Sequence, residues 1–111
     1  MTPDEIFLEW VRNEYGDIVE VVDVENEEEM LSKLEEYDKF AFYNEKKIII
    51  FNAPQKNIIF GIFIHRLNNL NGFEIISRLS DLTYLDIRHN KLTELPIFIG
   101  DLSNLTHLDI G

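Results

Sequence analysis

The last third of the chain repeats one pattern of apolar and polar positions. Apolar residues fall at Leu82, Leu85, Ile87, Leu92, Leu95, Ile99 and Leu102, and the series starts again at Leu105, Leu108 and Ile110. Leu85, Asp86 and Ile87 alternate as a short strand does, which directs Leu85 and Ile87 into a core and Asp86 away from it. Asn90 interrupts the alternation where the chain must turn, and its amide can bond backbone groups left unpaired there. Leu92, Leu95, Ile99 and Leu102 line a returning arm punctuated by Pro96 and Gly100. Residues 79–87 read LSDLTYLDI and residues 102–110 read LSNLTHLDI, differing only at Asp81/Asn104 and Tyr84/His107, so the period is 23 residues. One such coil cannot bury its own apolar side and must stack on neighbours.

Stepping back by the period places Ile59, Ile62, Ile64, Ile76 and Leu79 in equivalent positions, but Leu67 stands where the turn Asn belongs and Gly72 where Leu95 belongs. Residues 59–81 therefore read as a degenerate coil. A further step, of 22 residues, reaches Tyr37, Phe40 and Phe42. This leaves residues 37–58 open between a repeat-like coil and a hairpin, because FAFYNEKKIIIF (40–51) also reads as two strands around a polar turn, Asn44 to Lys46, with NIIFGIFI as a third. Ahead of this, Thr2, Pro3 and Glu5 form a capping signature. They predict a helix to about Tyr15, stopped by Gly16, with Ile6, Phe7, Trp10, Val11 and Tyr15 inward and Asp4, Glu5, Glu9 and Arg12 outward. The β-branched run IVEVVDV (18–24) predicts a strand. Asn26 and Glu29 then cap a second amphipathic helix carrying Met30, Leu31, Leu34 and Tyr37. Glu27, Glu28 and Glu29 occupy its first turn, where negative charge suits the helix dipole and no metal need be invoked.

The coil 82–104 matches LxxLxLxxNxLxxLPxxIGxL at every marked position apart from conservative Ile changes, and resembles the leucine-rich repeat family in its 23-residue form. The resemblance implies an α/β fold: a short leucine-rich-repeat solenoid with parallel strands, preceded by an N-terminal α/β capping segment. On that reading residues 1–58 are an acidic cap and residues 59–111 are repeats, with 59–81 degenerate, 82–104 complete and 105–111 partial. It also implies a protein-binding scaffold rather than an enzyme, with the partner on the concave face built by the strands. Outward positions then stack in rows: Gly61, Tyr84 and His107; Phe63, Asp86 and Asp109; His65, Arg88 and Gly111. The expected partner-binding residues are Phe63, His65, Tyr84, Asp86, Arg88, His107 and Asp109, a set whose aromatic and Arg content suits an interface.

Charge and composition narrow the partner. The net charge of −11 is unevenly placed: residues 1–45 hold 15 acidic against 3 basic side chains, whereas residues 46–111 hold 6 against 7. Such a field disfavours nucleic acid and anionic membrane surfaces and favours a basic protein, although a solvated face also accounts for the acidity. An acidic immunity-type inhibitor of a basic protein, bound through the N-terminal half, is thus the first alternative. The second is a metal-dependent hydrolase using His107, Asp86 and Asp109. There is no Cys, and no phosphate-binding, nucleophile-elbow or metalloprotease motif, so no cofactor is expected. The acidic start MTPDEIF is unlike a signal peptide and the run IIFGIFI is too short to span a bilayer, which predicts a cytoplasmic protein. Leu105, Leu108 and Ile110 would leave an apolar strand edge, and a homodimer through this C-terminal coil is a further expectation.

Overall fold

A computed structural model describes residues 1–40, 46–90, 92, 94 and 96–110, with only the backbone of residues 37–40. The expected positions of Phe42, Asn44, Leu95 and Gly111 lie outside the described residues. The elements are α1 (Pro3–Tyr15), β1 (Val19–Asp23), α2 (Glu27–Phe40), β2 (Ile48–Ala53), β3 (Ile58–Ile64), β4 (Tyr84–Asp86) and β5 (His107–Asp109). Short 3₁₀ segments at Phe73–Arg78 and Ile97–Asp101 follow β3 and β4. The five strands form one sheet in chain order, parallel at β1–β2, β3–β4 and β4–β5 and antiparallel at β2–β3. This is an α/β domain in which the acidic N-terminal segment and the periodic segment share a sheet.

Both helices begin as their sequences dictate. Thr2 Oγ1 accepts from the Glu5 amide and Glu5 Oε1 accepts from the Thr2 amide, closing a capping box, and Gly16 ends the helix at φ 50°. Asn26 Oδ1 accepts from the Glu29 amide at 2.8 Å. Two of the expected helix directions are corrected. Ile6 points to solvent at 40 % exposure, and Asp4 is buried, because its carboxylate accepts from the Ile59 amide at 2.8 Å where β3 begins. Burial pushes the Asp4 carboxyl above its usual range, against the lowering effect of that bond.

Within 37–58, residues 37–40 close α2 and Ile48–Ala53 pairs with β3 as a hairpin, whereas the strand and turn expected over 41–45 lie outside the described residues. Residues 37–40 belong to α2, so neither a coil nor a strand begins at Phe40. A bulge between Phe51 and Asn52 breaks the β2–β3 register and lets Ile59 and Ile62, three positions apart, both face the main core. That core lies between the sheet and α1 and holds Phe7, Val11, Ile48, Ile50, Ile62, Phe73, Ile76, Leu82, Leu85 and Ile99, each large side chain contributing about 1.5–3 kcal/mol by burial. Gly72 has φ 91°, and a Cβ there would come within 2.4 Å of the Trp10 ring, so α1 occupies the space that a Leu fills in the regular pattern.

The period is visible in the backbone. Gly61, Tyr84 and His107 lie side by side on β3, β4 and β5, as do Ile62, Leu85 and Leu108. The Thr83 amide donates to Phe60 O and the Thr106 amide to Thr83 O. Arg66 and His89, one period apart, both adopt positive φ (62° and 61°) at the turns. Asn90 sits between these turns: its Oδ1 accepts from the Leu67 amide (2.9 Å), and its Nδ2 donates to Ile64 O (2.8 Å) and Ile87 O (2.7 Å).

Candidate functional site

The sheet face opposite α1 divides into a covered part and an open part. Over β1–β3 it is covered by α2: Met30 and Leu34 pack with Val22, Val24, Ile49, Phe51 and Phe63 in a second cluster. Gly61 makes this possible, since a Cβ there would lie 2.6 Å from the Met30 sulfur. The expectation that Phe63 is exposed for a partner is therefore corrected; it is 1 % exposed, beneath the helix. His65 and Asp86 are also buried, at 6 % and 0 %.

What remains open is the face of β4 and β5. Aromatic rings run across the sheet from the covered to the open part. Phe51 meets Phe63 at 6.2 Å, Phe63 stacks on Tyr84 at 5.3 Å, and Tyr84 stacks on His107 at 4.1 Å with planes only 4° apart. Tyr84 is half-buried and His107 exposed. The row thus forms a flat Tyr–His platform in which Tyr84 is held between the Phe63 and His107 rings, so ordering it under a partner costs less.

Beside the platform lies a charged network centred on Asp86. Its Oδ1 lies 3.0 Å from His65 Nε2 and accepts from the Arg88 amide at 3.0 Å, while Oδ2 meets the Arg88 guanidinium at 2.7 and 2.9 Å. Burial on its own would raise the Asp86 carboxyl. The hydrogen bonds from His65 and Arg88, with the charge of His65, outweigh it and hold the group below the usual carboxylate range. Arg88 Nε also reaches Asp109 Oδ2 at 3.3 Å, so β4 and β5 are tied across the network. The His65 ring meets His89 edge-on at 5.7 Å.

The structure therefore brings Tyr84, Arg88, His107 and Asp109 to one accessible surface and places His65 and Asp86 beneath it as supports. Two features were missed in the sequence. The covering helix was signalled by Gly61 and Phe63, a small and a large apolar residue at row positions where β4 carries Tyr84 and Asp86. His89, absent from the expected set, follows from the shared turn conformation with Arg66. As for metal ligation, Asp86 commits both oxygens to Arg88 and His65, and among the described residues no group of three His, Asp or Glu is placed to hold an ion. Also among the described residues, no helix is long and apolar enough to cross a membrane.

Comparison with known proteins gives a partial likeness. No family model matches the chain, and no solved structure matches it. A stretch of 59 residues, 53 % of the chain, is 41 % identical to a calmodulin-binding receptor kinase, CaMRLK, of Arabidopsis thaliana, and corresponds to 8 % of that protein's length.

Proposed function

We propose that this chain is a protein-interaction module, a short leucine-rich-repeat stack whose N-terminal helices protect one end, and that it binds a protein partner on the open β4–β5 face. The 23-residue register of β3, β4 and β5 and the three bonds of Asn90 support the repeat reading, which remains independent of what the Arabidopsis kinase binds or phosphorylates. The observation that carries the binding reading is the Tyr84–His107 stack beside Arg88 and Asp109, an aromatic and charged surface already held in one conformation. Preorganised Tyr and Arg anchors are the side chains that contribute most when an interface closes over them.

The test removes the platform while sparing its supports. Arg88→Ala also strips a buried carboxylate of its main partner, so loss of binding in that variant would not separate contact from folding. Tyr84→Ala combined with His107→Ala leaves the Asp86 network in place and is expected to weaken a genuine partner by more than about 2 kcal/mol. Unchanged affinity in that double variant, with the fold retained by circular dichroism, would remove the proposal.

A further inference from the structure

The outer edge of β1 is a second unused surface, on the opposite side of the sheet from β5. The Val24 amide donates to Asn52 O at 2.8 Å and Ile18 O accepts from the Lys47 amide at 2.9 Å. Even-numbered positions therefore turn their backbone groups toward β2, and by alternation along the strand Val21 and Asp23 turn theirs outward. The Val19 amide is occupied, donating back to Gly16 O. Among the described residues no strand lies beyond β1.

The side chains along this edge specify the charge of what it would accept. Glu20 projects from the strand with Oε2 buried and without a hydrogen-bond partner among the described residues, a costly arrangement for a carboxylate oxygen. At the C-terminal end of β1 opens a cleft of about 590 Å³ whose charged lining is Asp23, Glu25 and Glu29 against the single cation Lys56. Residues 1–45 by themselves carry an excess of twelve negative charges. A second copy pairing through β1 would bring two acidic edges together, each carrying Glu20 and Asp23, with like-charge repulsion between them.

We propose that the β1 edge takes an extended Lys- or Arg-rich segment of a partner protein as a sixth strand. Main-chain bonds to Val21 and Asp23 supply the docking, a cation on the strand beside Glu20 meets an acidic side chain, and a second cation at the strand end enters the cleft beside Asp23, Glu25 and Glu29. This recognition is separate from the β4–β5 face, and its failure would leave that reading untouched.

A synthetic peptide alternating lysine and valine tests it directly against the 111-residue chain. Amide exchange followed by NMR should slow about tenfold or more at Val21 and Asp23, and a peptide alternating glutamate and valine should have no such effect. N-methylating the lysine-valine peptide on the residues facing β1 should weaken binding about tenfold on the unaltered protein, and Glu20→Lys should do the same from the protein side. Equal binding of the N-methylated peptide, unchanged exchange at Val21 and Asp23, or protection confined to β5 would overturn the proposal.

Discussion

The same sheet face is treated in two ways within one period of the chain. At β3 the outward row begins with Gly61, and the space it leaves admits Met30, so α2 lies down on the strands and Phe63 becomes core. At β4 and β5 the equivalent positions are Tyr84 and His107, whose rings fill that space themselves and stay accessible. Backbone register is common to both halves, and side-chain volume decides which half is closed. One face of a single sheet can thus be roofed at one end and left as a surface at the other by changing one residue per row.

The comparison can be broken most severely at Gly61. Gly61→Tyr, which writes the β4 residue into β3, is expected to cost roughly 3 kcal/mol by driving Met30 off the strand, read as a fall in the denaturation midpoint. A variant as stable as the parent would show that α2 does not depend on that gap. Asn90→Ala comes next, at roughly 1–3 kcal/mol, because the Leu67 amide and the Ile64 and Ile87 carbonyls lose their partner together. A loss of only a few tenths would mean that the turns hold the two coils together without it.

Arg88→Ala probes the open half from below and is expected to cost about 1–2 kcal/mol at neutral pH. Its acid dependence carries the sign. Because the folded chain holds Asp86 below the usual carboxylate value, the Asp86 network contributes stability above that usual value, and the contribution is lost as pH falls through the lowered one. Acid unfolding curves of the parent and Arg88→Ala should therefore converge as pH drops below about 4. A constant gap would assign the loss to packing instead.

The smallest effect is at Asp4, where the sign reverses. Its raised folded value means that protonation is favoured in the fold, a stabilisation present at low pH and lost as pH rises through that value. Asp4→Asn keeps an acceptor for the Ile59 amide without a buried charge, and at neutral pH should stay within about 0.5 kcal/mol of the parent, whereas Asp4→Ala should lose about 1. Equal losses in both would show that the charge itself is needed at the start of α1.

The strands, the inward Asn90 and the capped starts of both helices were legible because each is fixed by local spacing: 23 residues between equivalent positions, three between a cap and the amide that donates to it. The α2-covered face was not, since an amphipathic helix states how much apolar surface it carries but not which surface it will cover. Gly61 held that information, yet a Gly in a row of outward positions has meaning only once a helix is known to be near. Asp4 misled for a related reason. An acidic residue in a first helical turn is satisfied by water or the dipole as readily as by an amide 55 positions away. For the candidate site, the rows were correctly aligned while the depth of each residue in them was not, because depth depends on α2.

The central claim is that the open face of β4 and β5 is where a partner binds. Its most direct measurement is the amount of any partner captured quantitatively by the parent chain, by Tyr84→Ala/His107→Ala, and by Ile6→Ala, a change of an exposed side chain on α1. The account predicts that the double variant loses the partner while Ile6→Ala retains it at the parent level. Equal capture by the parent and the double variant would contradict it.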